Sequence, residues 1–360
     1  MIDLEKINNA FRRKNELPVS LIPMSEKNLH PVYLSHCKIL QPLTQNFLPW
    51  STIHTINRLP KVFRALGSSY IAEVEALTGV APSEITKYKF RLKDCQRFIE
   101  SEINRGKLKK IIFFSEASMN LNKQWMTKKI SQKVDFCNMV PHTYFSKNLD
   151  LRSNQLRLLL IISKAIVKGS FLFSRLFDEI IKVRADVQFI IISSEDFEIE
   201  PRHKDYVQKN VIKRMTFDQK KNFFFQSDML INISPMDTMG TFLDSLMFNT
   251  PLITVPGQHA SSYVENGISG YIVESPVFYY SSDLGVKYHN VRHDFKSFLM
   301  QCDLNIWNQM FDEIAYIVKK IDRKKLKEIT INQQQRIKKM HSVDGWLSNW
   351  RRIYTRIVNE

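Results

Sequence analysis

Glycine is missing from the first 66 residues of this 360-residue chain, while six prolines (Pro18, Pro23, Pro31, Pro42, Pro49 and Pro60) punctuate nearly the same stretch. Regular alternation of strand and helix is therefore hard to sustain there, and the N-terminal part is expected to form a reduced or irregular domain. Cysteine is scarce as well. The four residues Cys37, Cys95, Cys137 and Cys302 are far apart and include no Cys-x-x-Cys pair, so neither a disulfide framework nor a zinc site is indicated. Long apolar runs are also lacking. The most apolar stretch, 156–173, is interrupted by Lys164 and Lys168 and followed by Arg175, so no membrane span is expected. Residues 1–14 mix charges of both signs without an apolar centre and do not read as a signal peptide.

Acidic residues are in deficit, 36 against 52 basic ones, for a net charge of +16. Part of the excess lies on a helical tail: Lys319, Lys320, Arg323, Lys324, Lys325, Lys327, Arg336, Lys338 and Lys339. Such a charge attracts polyanions. No zinc-finger spacing and no aromatic-glycine RNA signature accompanies it, so nucleic acid is not the expected partner. An anionic membrane surface is, with a merely solvated helix face as the other reading.

What is present is a large apolar fraction, 44%, enough for two domains. After residue 150, apolar runs at 156–162, 187–192, 211–212, 229–233, 252–255 and 270–273 alternate with amphipathic stretches, the pattern of a parallel doubly wound α/β domain. Before it, 17–22, 109–114 and 134–139 read as strands and 118–132 as a helix. Domains are expected at 1–150 and 151–340. A closing helix is expected in 341–360, where Trp346, Trp350, Ile353 and Tyr354 share one face as packing residues.

The most informative segment is 229–273. The apolar run at 229–233 stops at Ser234-Pro235, Gly240 opens an amphipathic stretch carrying Asp244, and a second run stops at Pro256-Gly257. Free NH groups at the helix start face the carboxyl ends of the strands, where α/β sheets bind anions. Gly240 and Thr241 are small enough for a phosphate to approach. Asp244, about one turn on, suits two vicinal hydroxyls.

This stretch resembles the donor-binding half of GT-B glycosyltransferases. The large retaining group reads Pro-Ser-x-x-Glu-x-Phe-Gly, then Glu-Ala-Met, then Gly-x-Pro-Val-Ile. The equivalents here are Pro235, Asp237, Met239-Gly240, Asp244 to Met247 and Thr250 to Ile253. The group's Glu-Asp-Gly-x-x-Gly-x-Leu-Val reappears as Glu265-Asn266-Gly267-Ile268-Ser269-Gly270-Tyr271-Ile272-Val273. Both acidic positions are Asp, and they lie seven apart instead of eight. Thr241, Asp244, Leu246, Thr250-Pro251, Thr254 and Pro256-Gly257 also match, without a gap, the donor helix of the inverting O-linked N-acetylglucosamine transferases. Asp244 is thus the firmer assignment, and stereochemistry stays open. Upstream, Lys168-Gly169 matches the retaining group's diphosphate-binding Lys-Gly, and Lys164 falls one place from its Arg. Loop solvation is the other reading for both lysines.

The resemblance implies a GT-B fold and transfer of a sugar from a nucleotide-diphosphate sugar to a glycan, protein or lipid-linked acceptor, as in polysaccharide biosynthesis. It implies no cofactor and no metal, and the chain indeed has no Asp-x-Asp. The expected location is the cytoplasm, at the inner face of the membrane. Donor-binding candidates are Lys164, Lys168, Gly240, Thr241, Asp244 and His259, the last by its place in the loop after Pro256-Gly257. Candidates for the reacting centre are Asp237 and, from the first domain, Glu73 and Glu75. As a strand, 70–75 would point those two glutamates to one side, and paired carboxylates suit proton transfer. Two solvated glutamates are the plainer alternative. A sugar-nucleotide epimerase of the same fold and a non-catalytic partner protein remain competing functions.

Overall fold

The computed structural model describes residues 17–22, 44–45, 52–56, 69–74, 92–141, 143–147, 155–162, 169–213, 215–235, 239–257, 259–277 and 299–359. The chain forms two compact units, Met1–His142 with Met340–Glu360, and Thr143–Lys339.

In the first unit six strands make one sheet: β1 (Leu17–Ile22), β2 (Thr44–Gln45), β3 (Thr52–Ile56), β4 (Tyr70–Val74), β5 (Leu108–Phe113) and β6 (Val134–Phe136). Their order is β2-β1-β3-β4-β5-β6, and every pairing is parallel. The sheet is fuller than the proline-broken sequence suggests. β2 has only two residues and β3 reads Thr-Ile-His-Thr-Ile, so neither announces itself as an apolar run. Helix α1 (Leu92–Asn104) precedes β5. The single helix expected over 118–132 is instead two short ones, α2 (Glu116–Asn122) and α3 (Lys128–Ser131), separated by a 3-10 turn at Lys123–Trp125. Ser115 and Thr127 cap their N-termini, each accepting from a backbone NH of the first turn, so each helix has its own start.

β4 and β5 send alternate side chains to opposite faces. Tyr70, Ala72, Val74, Ile111 and Phe113 pack on Cys95 and Ile99 of α1 and on Trp125 and Ile130. Ile71 and Ile112 face the other way, under Trp346, Trp350, Ile353, Tyr354 and Ile357. These come from the C-terminal helix (Val343–Asn359), α10 below, whose apolar residues recur at helical spacing. Each such buried side chain contributes about 1.5 to 3 kcal/mol.

The second unit holds β7 (Leu156–Ile162), α4 (Phe173–Val183), β8 (Val187–Ser193), β9 (Val207–Val211), α5 (Phe217–Gln226), β10 (Met229–Asn232), α6 (Met239–Met247), β11 (Leu252–Thr254), α7 (Ala260–Tyr263), β12 (Gly270–Ile272), α8 (Asn308–Lys320) and α9 (Arg323–Met340), the last ending at the unit boundary just before α10. The strand order is β12-β11-β10-β7-β8-β9, again parallel throughout. β9 starts four residues earlier than the short apolar pair Val211-Ile212 implied, because its polar residues 208–210 carry no apolar signal. Phe173, Leu176, Phe177 and Ile180 of α4 are buried, Phe177 with its ring centroid 4.2 Å from that of Phe189 on β8. Among the described residues no helix is long and apolar enough to cross a membrane.

Candidate donor-binding site

The order of the second sheet reverses at β7, which has β8 on one side and β10 on the other. Where a parallel sheet winds outward in both directions, the crevice beyond the strands' carboxyl ends is the place for a ligand. Two separate parts of the sequence meet there. Gly169, after β7, adopts φ +86°, and a Cβ on it would lie 3.3 Å from the Ile233 carbonyl oxygen and 3.6 Å from Pro235 Cδ. A left-handed backbone and a close approach both call for glycine. The end of Lys168-Gly169 is thereby set against Ile233 to Pro235, the segment leading to α6. Lys164 and Lys168 themselves lie outside the described residues, as does Asp237.

Helix α6 starts on this edge with Met239, Gly240 and Thr241. Gly240 and Thr241 are partly exposed, while the rest of the helix is buried. Its first turn therefore offers NH groups and the positive end of the helix dipole at a position water can reach. The end of β10 is fixed by Asn232, whose amide donates to Thr254 Oγ1 at 3.3 Å and whose Oδ1 accepts from the Ser234 NH at 3.4 Å.

Asp244 is only 8% exposed. Its carboxylate is paired with Lys220 of α5, whose Nζ donates to the two oxygens at 3.1 and 2.8 Å. Lys220 was not singled out in the sequence. The capping box at Thr216 and Gln219 marks the start of α5 and is readable there, but nothing in the order of residues says which lysine of α5 faces α6.

The motif 265–270 forms the turn into β12. Gly267 takes φ +73°, its NH donates to the Gly270 carbonyl at 2.8 Å, and Asn266 Oδ1 accepts from the Ile272 NH at 2.9 Å. A Cβ on Gly270 would sit 2.5 Å from the Leu252 carbonyl oxygen, so only glycine lets β12 reach β11. Arg336 of α9 braces the turn through Glu265 Oε2 at 3.2 Å and the Ser262 carbonyl at 3.2 Å.

His259 is fully buried just before α7, edge-on to Phe242 of α6 at 6.0 Å. Burial pushes its pKa down to about 3, so the imidazole is neutral at physiological pH. Its ring is enclosed by the protein rather than turned to solvent.

In the first unit Glu73 is also fully buried, on the Ile71 face beneath α10. His54 Nε2 lies 3.0 Å from Glu73 Oε2, and His54 Nδ1 lies 2.6 Å from the Tyr354 hydroxyl. The imidazole also stacks at 4.6 Å, tilted, on Trp350. The chain of polar groups joins β4, β3 and α10. The sequence pattern allowed a solvated or a reacting Glu73, and burial beside His54 overturns the solvated reading. Glu75 lies outside the described residues.

No protein-family model matches the chain, and no curated protein matches it in sequence. Solved structures do match. Anabaena Alr3699/HepE in complex with UDP and glucose superposes with a TM-score of 0.60 at 12% identity, over 95% of this chain and 100% of that one. A glycosyltransferase from Rickettsia africae gives 0.54 at 13% identity, over 96% and 99%. For an S. aureus TarM mutant the TM-score is 0.51 at 12% identity, and this chain spans only 55% of its length. The protein thus has the fold of GT-B glycosyltransferases, with parallel sheets in both units.

Proposed function

We propose that the protein is a glycosyltransferase that takes a sugar from a nucleotide-diphosphate sugar held by its second unit. The observation that carries this reading is the junction at the sheet's switch point, where Gly169 abuts Ile233 and Pro235 on the edge where α6 begins. Three solved neighbours of the same fold point the same way: the HepE structures are complexes with UDP and glucose or with UDP-glucose, and the TarM mutant is a complex containing UDP. In this reading the diphosphate lies at the first turn of α6, and Lys164 and Lys168 neutralise the charge that grows on it as the glycosidic bond breaks. Asp244 accepts from the ribose hydroxyls, and Asp237 is the candidate for the reacting centre. No divalent cation is required, because the helix terminus and the lysines supply the positive charge.

A panel of nucleotide-diphosphate sugars, with EDTA present and absent, monitored for nucleotide release and for product sugars, tests the reading. One donor should release nucleotide at the same rate in EDTA. Interconversion of the sugar while it stays on its nucleotide would mean an epimerase, and no turnover or binding of any donor would mean a non-catalytic relative.

The acceptor is a glycan, protein or lipid-linked molecule met at an anionic cytoplasmic membrane face. The support is electrostatic. Arg323, Arg336 and Lys325 are engaged by Asp228, Glu265 and Glu328, but Lys319, Lys320, Lys324, Lys327, Lys338 and Lys339 are exposed. Salt-sensitive co-sedimentation with anionic but not neutral liposomes is the expected result. Equal, negligible binding to both at low salt would refute it.

A further inference from the structure

We propose that Lys220 is a positioning residue for ribose recognition, holding Asp244 so that the site selects ribonucleoside over deoxyribonucleoside diphosphates. The inference rests on the donor-site reading above. Lys220 is the fourth residue of α5, and that helix starts after β9, so its first turn lies toward the same sheet edge as the first turn of α6. The ammonium touches both carboxylate oxygens, which fixes the plane of the carboxylate as a single-oxygen contact would not. An ionised carboxylate has about four acceptor positions. Lys220 takes one on each oxygen, and one on each is left for a neutral donor.

Charge leads to the same conclusion. A bare carboxylate about one turn into α6 would repel the diphosphate that the helix start attracts, and its pairing with an ammonium removes that penalty. Asp244 and Lys220 are both largely buried, with side-chain exposures of 11% and 23%, so salt screens the pair little. Hydroxyl groups, which donate without adding charge, are the partners such a neutralised carboxylate takes best. A vicinal diol supplies two of them, and a deoxyribose supplies one.

The test is calorimetric titration of the full chain with UDP, ADP and GDP and with the 2′-deoxy form of each. Wild type should bind at least one ribonucleotide about tenfold more tightly than its deoxy form, the value of one hydrogen bond to a charged group. Lys220→Met should bring that ratio close to one, chiefly by weakening the ribonucleotide, and Lys220→Arg should restore most of it. A purely structural tie would lower thermal stability and leave the ratio unchanged, which overturns the proposal. If Lys220→Met does not fold, the double variant Lys220→Met/Asp244→Asn buries no unpaired charge and serves instead, and persistence of the tenfold ratio there overturns it equally. Wild-type binding without a ribose preference rejects the role of Lys220 but leaves the donor site standing. Failure of wild type to bind any of the six nucleotides rejects both.

Discussion

Replacing Gly169 by alanine tests whether the two halves of the candidate site meet as tightly as the structure shows. Gly169 and Gly267 both have left-handed backbones in the second unit, φ +86° and +73°. They differ in surroundings. A Cβ on Gly267 meets nothing within 4 Å, whereas one on Gly169 meets the Ile233 carbonyl oxygen at 3.3 Å. The left-handed conformation costs a non-glycine residue about 1 to 2 kcal/mol, and alanine returns about 0.4 to 1 kcal/mol by stiffening the unfolded chain. Gly267→Ala should therefore destabilise the unit by about 1 kcal/mol. Gly169→Ala carries the same backbone cost and must also push back β10's exit, as overpacked sites do at about 1 to 3 kcal/mol, for a total of about 2 to 4 kcal/mol. With a urea slope of about 2 kcal/mol/M, midpoints should fall by about 0.5 M for Gly267→Ala and about 1 M or more for Gly169→Ala. Urea titration followed by circular dichroism reads both. Equal midpoints for the two variants would refute the close approach and, with it, the junction on which the donor site is built.

Other expected outcomes bear on the buried polar groups. Tyr354→Phe removes the 2.6 Å bond to His54 and should cost about 1 to 3 kcal/mol in the first unit, measured by urea unfolding. Glu73→Gln should lower stability while leaving nucleotide affinity in the second unit unchanged, and an unaltered melting temperature would contradict the enclosed reading of Glu73. His259 has a folded pKa depressed to about 3 against an ordinary 6.5. Below pH 6.5 the unfolded chain takes up a proton that the folded chain refuses, so its contribution is present above that pH and is lost as pH falls toward 3, by up to about 1.4 kcal/mol per pH unit. His259→Leu should flatten that part of the stability profile, and an unchanged slope would show that the imidazole is not buried neutral.

The second unit was legible because its central strands are predominantly apolar on both faces, the mark of a sheet covered on both sides. Gly267 and Gly270 stood out through the motif they share with the retaining group, and the structure gives the physical reason that they are glycine: a left-handed turn and a strand approach that excludes a side chain. β3 could not be read, because Thr52–Ile56 buries its histidine in a partnership with residues 19 and 300 positions away. Glu73 shows the limit of periodicity. Alternation tells which residues share a face of a strand, but not that a helix from the far end of the chain closes over that face. The Lys220–Asp244 pair lay beyond reach for a similar reason, since only the folded chain brings Lys220, and not its neighbour Lys221, to Asp244.

The most direct test of a nucleotide-diphosphate sugar bound at the switch point is hydrogen exchange of the whole chain, measured by mass spectrometry with and without a saturating donor from the nucleotide-sugar panel. Exchange should slow in two separate peptides, one containing Gly169 and one containing Met239 to Thr241, with β12 and α9 little changed. Protection confined to other segments, or none at either peptide while the donor is bound, would contradict it.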